Sequence, residues 1–164
     1  MTMEVNLSSK QLRRQGLVRT VEEALTRAGV EAHTLALDIT ETVLIKASED
    51  DAHALEALKK MGIRLYLDDF GTGYSSLSYL KRFPVERVKV DRTFVKGLGE
   101  NATDTALVRM IIDLCRTLGV EVLAEGVETS KQAALLKDMG QGYYFARPLQ
   151  GEELAARLPK AFLA

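Results

Sequence analysis

The chain is short of the features that settle many functional questions at once. It has one cysteine, Cys115, so no internal disulfide can form. Cys115 falls in the helical pattern Leu107, Met110, Ile111, Leu114 with no histidine nearby in sequence, which predicts a buried structural thiol rather than a nucleophile. The two histidines, His33 and His53, lie in polar surroundings without ligand spacing. No run approaches the ~18 apolar residues a membrane span needs. The opening Met1-Thr-Met-Glu-Val-Asn6 has neither a basic stretch nor an apolar signal core, so a cytoplasmic location is expected. Positive charge is not in excess either. The 22 Lys and Arg against 23 Asp and Glu leave a net charge of -1, which argues against extended nucleic acid as a partner. A small phosphate ligand at one local site stays compatible with it.

What is present is an alternation of short apolar runs with longer amphipathic ones. Val18, Val21, Leu25 and Ala28 share a helical face that Gly29 ends. Ser48 opens a helix carrying Ala52, Leu55 and Leu58, and Leu107 to Leu118 forms a longer one stopped at Gly119. Thr129-Ser-Lys-Gln132 is a capping box opening a helix towards Met139-Gly140. Shorter helices are expected over 75–82 and from Glu152 to Leu158. Strands are predicted at Glu4–Leu7, Leu35–Ile39, Ile63–Leu67, Val85–Val90, Val120–Ala124 and Tyr143–Phe145, six in all. Helices separating strands imply parallel pairing through right-handed crossovers. A closed eight-stranded barrel takes about 250 residues, so 164 residues suit an open α/β sheet or a barrel without its beginning, in one domain spanning 1–164.

The polar residues fall in a telling place. Asn6, Asp38, Asp68 with Asp69, Lys89 and Glu125 each lie at or just past the C-terminal end of a strand run. In parallel folds those ends meet on one face, where ligands bind. Carboxylates gathered there cannot all stay ionised without a compensating cation. An oxygen-rich cluster without histidine suits hard ions such as Mg²⁺ or Mn²⁺. Taken singly, each acid reads equally as a helix N-cap or a solvated loop residue, and Lys89 as an ordinary ion-pair lysine. The glycines of Gly71-Thr-Gly73 fit either a plain tight turn or a catalytic loop. Only the repetition of one polar habit at five strand ends favours a site.

The motifs Leu37-Asp-Ile-Thr-Glu41, Leu67-Asp-Asp-Phe-Gly-Thr-Gly-Tyr-Ser-Ser-Leu77, Val88-Lys-Val-Asp91 with Phe94-Val95, Ala124-Glu-Gly-Val-Glu128 and Gln141-Gly-Tyr-Tyr-Phe145 occur in that order. With them the chain resembles the EAL family of cyclic-di-GMP phosphodiesterases, from Val5-Asn-Leu-Ser8 to Arg147-Pro-Leu149. Asp69-Phe-Gly71 also occurs in protein kinases, but no kinase glycine loop or His-Arg-Asp loop accompanies it. The resemblance implies a (β/α)8 TIM-like barrel, incomplete here, that hydrolyses cyclic-di-GMP to the linear dinucleotide with Mg²⁺ or Mn²⁺, two ions in all. By motif, Asn6, Asp38, Asp68, Asp69 and Glu125 match metal ligands, and Lys89 matches the lysine that positions the water. Glu41 matches the acid supporting the loop Asp69 to Leu77, which in the family is linked to metal binding and dimerisation. Glu128 and Gln141 match rim residues, and Pro148 lies in a segment shaping the ligand pocket. Sensory or cyclase domains fused in a parent protein and a homodimer through that loop are further expectations.

The chain departs from the family in three ways. The two strands and two helices that usually precede Val5, with the strand-borne Glu-Ala-Leu motif and its metal-binding glutamate, are not among these residues. Asp38 stands where the family has a longer glutamate. Gly140 runs directly into Gln141, where relatives have several more residues that form most of the last strand. The alternative to hydrolysis is therefore a non-catalytic module that binds cyclic-di-GMP or a protein partner.

Overall fold

The computed structural model describes residues 2–71, 78–137 and 139–157. The remainder of the expected loop, residues 72–77, lies outside the described residues, as does the Leu158 end expected for the last helix. Five strands make one sheet: β1 (Met3–Asn6), β2 (Leu35–Thr40), β3 (Arg64–Phe70), β4 (Arg87–Val90) and β5 (Glu121–Ala124). Their spatial order follows the sequence, β1-β2-β3-β4-β5, and every pairing is parallel. The helices between them are α1 (Ser9–Leu12), α2 (Leu17–Ala28), α3 (Glu41–Ile45), α4 (Glu49–Lys60), α5 (Ser78–Arg82), α6 (Arg92–Lys96) and α7 (Ala102–Leu118), and α8 (Ser130–Leu136) and α9 (Gly151–Arg157) follow β5.

Side chains alternate across the sheet, as strand geometry requires. Leu37 and Ile39, Leu65 and Leu67, and Val88 and Val90 are 0–4% exposed and pack in one continuous core with Leu55, Leu58, Val108, Ile111 and Cys115 of the helices. The alternate positions on the other face are polar: Asp38, Tyr66, Asp68, Arg87 and Lys89. The sheet thus has an oily back built on helices and an ionic front.

Local signals place the helices where their caps fall. Thr129 forms the expected capping box, accepting from Gln132 N, and Ser48, expected to open its helix, forms one too, accepting from Asp51 N. Asn101 caps α7 through Thr103 N and Asp104 N, and Gly119 closes it in the left-handed conformation at φ 70°. The buried face of α7 is Val108, Ile111 and Cys115; Met110, assigned to that face from sequence, is 59% exposed. A shift of one residue turns a helix by about 100°, and the apolar pairs Leu107-Val108 and Met110-Ile111 fitted both registers. Cys115 is buried, as expected.

Two further expectations are corrected. The sixth strand is reduced to an isolated parallel bridge between Ala124 and Gly140, and Tyr143–Phe145 forms an exposed turn. With Gly140 running into Gln141, one bridge is all the ladder the junction can make before Gly142 turns the chain. The helix from Thr129 ends at Leu136 rather than near Met139, because Lys137 adopts φ 54° and breaks the helical run. Short helices α1, α3 and α6 are additions to the expected set. The tripeptides Glu23-Ala-Leu25 and Glu56-Ala-Leu58 lie inside α2 and α4, and neither sits at a strand end.

Candidate active site

The cluster is built on the register of the sheet. Asn6 pairs with Asp38 and Asp38 with Tyr66; Tyr66 pairs with Arg87 and Arg87 with Glu121, a continuous polar rung. Above it the register slips. Leu67 pairs with Val88 but Phe70 pairs with Val90, so Asp68 and Asp69 together face the single residue Lys89. This is a β-bulge, and it bends the strand so that both acids stand near its end. Asp69 takes the left-handed conformation at φ 55°, which Asp tolerates better than most side chains. The bulge carries β3 past the expected Leu67 boundary to Phe70.

Lys89 is the centre. Its Nζ lies 2.9 Å from Glu125, 3.0 Å from Asp38, and 3.6 Å from both Asp68 and Glu4. These groups come from β1, β2, β3 and the end of β5, around a lysine on β4. The lysine side chain is only 7% exposed. Burial works against its charge, but hydrogen bonds to Glu125 and Asp38 and their negative charges win, holding its pKa above the usual lysine range. It therefore stays an ammonium at any physiological pH. Burial, with Asp68 and Asp91 adding repulsion, pushes Asp69 up.

Around this centre the other expected residues take definite places. Asn6 ends β1 beside Asp38. Glu41, at the first position of α3, is 1% exposed; it accepts from Gly71 N at 3.0 Å and from Tyr79 Oη at 2.5 Å. It thus ties together the chain on either side of 72–77. Gln141 donates to Glu125 Oε1 at 2.7 Å, and its backbone is fixed at both ends, N to Ala124 O and O to Val127 N. The short junction brings it to the cluster because Gly142 passes tightly over Val127, where a Cβ would stand 2.3 Å from the backbone nitrogen. Glu125, Glu128, Gln141 and Pro148 line one hollow of about 520 Å³, together with Arg92 and Arg147.

Sequence reasoning missed Glu4, Arg87 and Tyr79. Glu4 was within reach, since it lies two residues before Asn6 in one strand and must share its face. Arg87 stands in the same relation to Lys89. Nothing in the sequence marks Tyr79 as the donor to Glu41.

The donor set fits a hard divalent cation. It offers carboxylate and amide oxygens only, and Asp38 Oδ1 is a buried oxygen without a hydrogen-bond partner in the structure. Among the described residues no three carboxylates already stand in ligating geometry, because they close on Lys89 instead.

A parallel β/α sheet whose strand ends bring acidic oxygens around a buried ammonium belongs to the class of α/β proteins with a ligand site at the C-terminal edge. Comparison narrows the class. The chain belongs to the EAL domain family, whose sequence model matches residues 1–148. It is 42% identical over 156 residues to the bifunctional diguanylate cyclase/cyclic di-GMP phosphodiesterase MucR of Pseudomonas aeruginosa, covering 93% of this chain and 23% of MucR. The solved MucR phosphodiesterase in complex with c-di-GMP superposes with a TM-score of 0.87 at 41% identity, over 93% of this chain and 64% of that one. A manganese and cyclic-di-GMP complex of Klebsiella pneumoniae BlrP1 gives a TM-score of 0.82 at 33% identity, over 90% and 39%. This chain thus spans about a quarter of the length of the curated relative and part of each solved one.

Proposed function

We propose that this chain carries the ligand-binding and catalytic groups of a phosphodiesterase acting on cyclic-di-GMP, which would be cleaved to the linear dinucleotide. The observation that supports it most is the convergence of Asp38, Asp68 and Glu125, from three elements, on Lys89 at the strand ends. In this reading residues 1–164 act as one domain in the cytoplasm, and the single apolar core shared by β2, β3, β4 and β5, with Leu7 just after β1, supports treating them as one unit.

Asn6, Asp38, Asp68, Asp69 and Glu125 would hold two divalent ions, Mg²⁺ or Mn²⁺. Such ions, when bound, polarise a phosphoryl oxygen and make a water molecule acidic enough to attack at neutral pH. The chain's own groups do the rest. Lys89, as an ammonium, orients the attacking water by donating to it and offsets phosphate charge. Glu125 is oriented by the amide of Gln141. Glu41 fixes Gly71 and Tyr79. The hollow beside Glu128, Gln141 and Pro148 suits part of a planar ligand, with Arg92 and Arg147 available to phosphate.

The test is incubation of folded protein with cyclic-di-GMP and Mn²⁺, following the linear product. Turnover that Lys89→Met abolishes is the expected result. A folded protein that binds Mn²⁺ and cyclic-di-GMP without cleaving either phosphodiester would establish the non-catalytic binding module instead.

A further inference from the structure

Lys89 has four acidic neighbours, and one of them differs from the rest. Asp38, Asp68 and Glu125 belong to the set proposed above to hold cations. Glu4 lies one full strand repeat below Asn6 on the same face of β1, about 6.6 Å further from the strand ends. Its other partner points the same way. Glu4 Oε1 is 3.4 Å from Arg87 Nη1, while Glu4 Oε2 is 3.6 Å from Lys89 Nζ. One carboxylate thus spans two cations that stand two residues apart on β4.

Arg87 is itself held rigidly. Its Nε and Nη2 both donate to Glu121 Oε2, at 3.0 and 2.7 Å, and its guanidinium lies 4.5 Å over the ring of Tyr66, which is 1% exposed. Glu121, Arg87 and Tyr66 share the rung of Asn6 and Asp38, and Glu4 reaches from further down β1 to both Arg87 and Lys89.

Resting on the reading that the upper carboxylates hold divalent ions, we propose that Glu4 is a positioning residue that keeps Lys89 in place when those carboxylates turn to the ions. Without Glu4, the ammonium has only the ion-binding oxygens to satisfy it and competes with the ions for them. With Glu4, Lys89 keeps a partner outside the ligand set, and the two kinds of cation share the site.

The experiment is a Mn²⁺ titration by calorimetry on the wild type, Glu4→Gln, Lys89→Met and the double variant, with thermal melts confirming that each is folded. Glu4→Gln is expected to weaken Mn²⁺ binding about tenfold in the wild-type background and less than about twofold once Lys89 is gone, a coupling in the range found for contacting residues. Glu4→Asp, which keeps the charge, is expected near wild-type affinity. If Lys89→Met does not fold, Lys89→Gln takes its place in the cycle, because Glu4→Asp keeps the charge and does not by itself separate a contact from a through-space effect. An equal loss in both backgrounds shows only a through-space charge effect and overturns the proposal, as does unchanged affinity in Glu4→Gln; both leave the function above standing. A wild type that binds no Mn²⁺ removes that function and this inference together.

Discussion

At the scale of single residues, burial decides which polar groups matter. Glu41 is almost fully buried and ionised groups there need donors, which Gly71 N and Tyr79 Oη supply. Tyr79→Phe removes one of them and is expected to cost about 1–3 kcal/mol in urea unfolding. A variant as stable as the wild type would show that Glu41 does not depend on the phenol. Cys115 gives a pH signature. Burial alone raises its thiol from near 9 to about 11. The folded state thus binds the proton more tightly than the unfolded one, so stability is complete below about pH 9 and falls as pH rises towards 11. Thiol-reagent kinetics at pH 8 should therefore follow unfolding, with slow modification of the native protein and fast modification in denaturant. Rapid labelling of the folded protein would contradict the buried assignment.

At the scale of elements, what the sequence disclosed and what it hid follow from range. The helix start at Ser48 and the capping box at Thr129 are local chemistry, and both were legible. So were the five strands, whose apolar runs are short and bounded by turn residues. The β3 bulge was not, because pairing two residues against one depends on a partner strand about 20 positions away. The register of α7 was legible only in part: Ile111 and Cys115 were placed with the buried pattern, but Leu107 and Met110 compete with Val108 until the sheet chooses a face. The turn after Gly140 depends on a close backbone approach that no propensity reveals. Gly142→Ala tests it: a methyl there meets Val127 N and O within 2.4 Å. That variant is expected to lose at least 1–3 kcal/mol of stability and to weaken cyclic-di-GMP binding by displacing Gln141 from Glu125. Unchanged affinity in a folded Gly142→Ala protein would separate Gln141 from the ligand site.

At the scale of the whole molecule, the polar cluster forms because the sheet is parallel. Parallel strands send their C-terminal ends in one direction, so Asn6, Asp38, Asp68, Asp69, Lys89 and Glu125 come together although 119 positions separate the first from the last (125 − 6). That convergence was readable from repeated polar residues at strand ends; the central place of Lys89 was not, since Glu4, Asp38, Asp68 and Glu125 meet there only through side-chain reach. Among the described residues β1 pairs with β2 alone, and its Met3 and Val5 are 64% and 42% exposed. The family's closed barrel would cover this edge with further strands, whereas the described residues form an open sheet. Among the described residues no helix is long and apolar enough to cross a membrane.

The most direct measurement is crystallographic: anomalous scattering from crystals grown with Mn²⁺ and cyclic-di-GMP. The account predicts Mn²⁺ peaks with oxygens of Asn6, Asp68 and Glu125 at about 2.0–2.6 Å, and a ligand phosphate facing Lys89. Mn²⁺ bound elsewhere, with Lys89 still closed on Asp38 and Glu125, would contradict it.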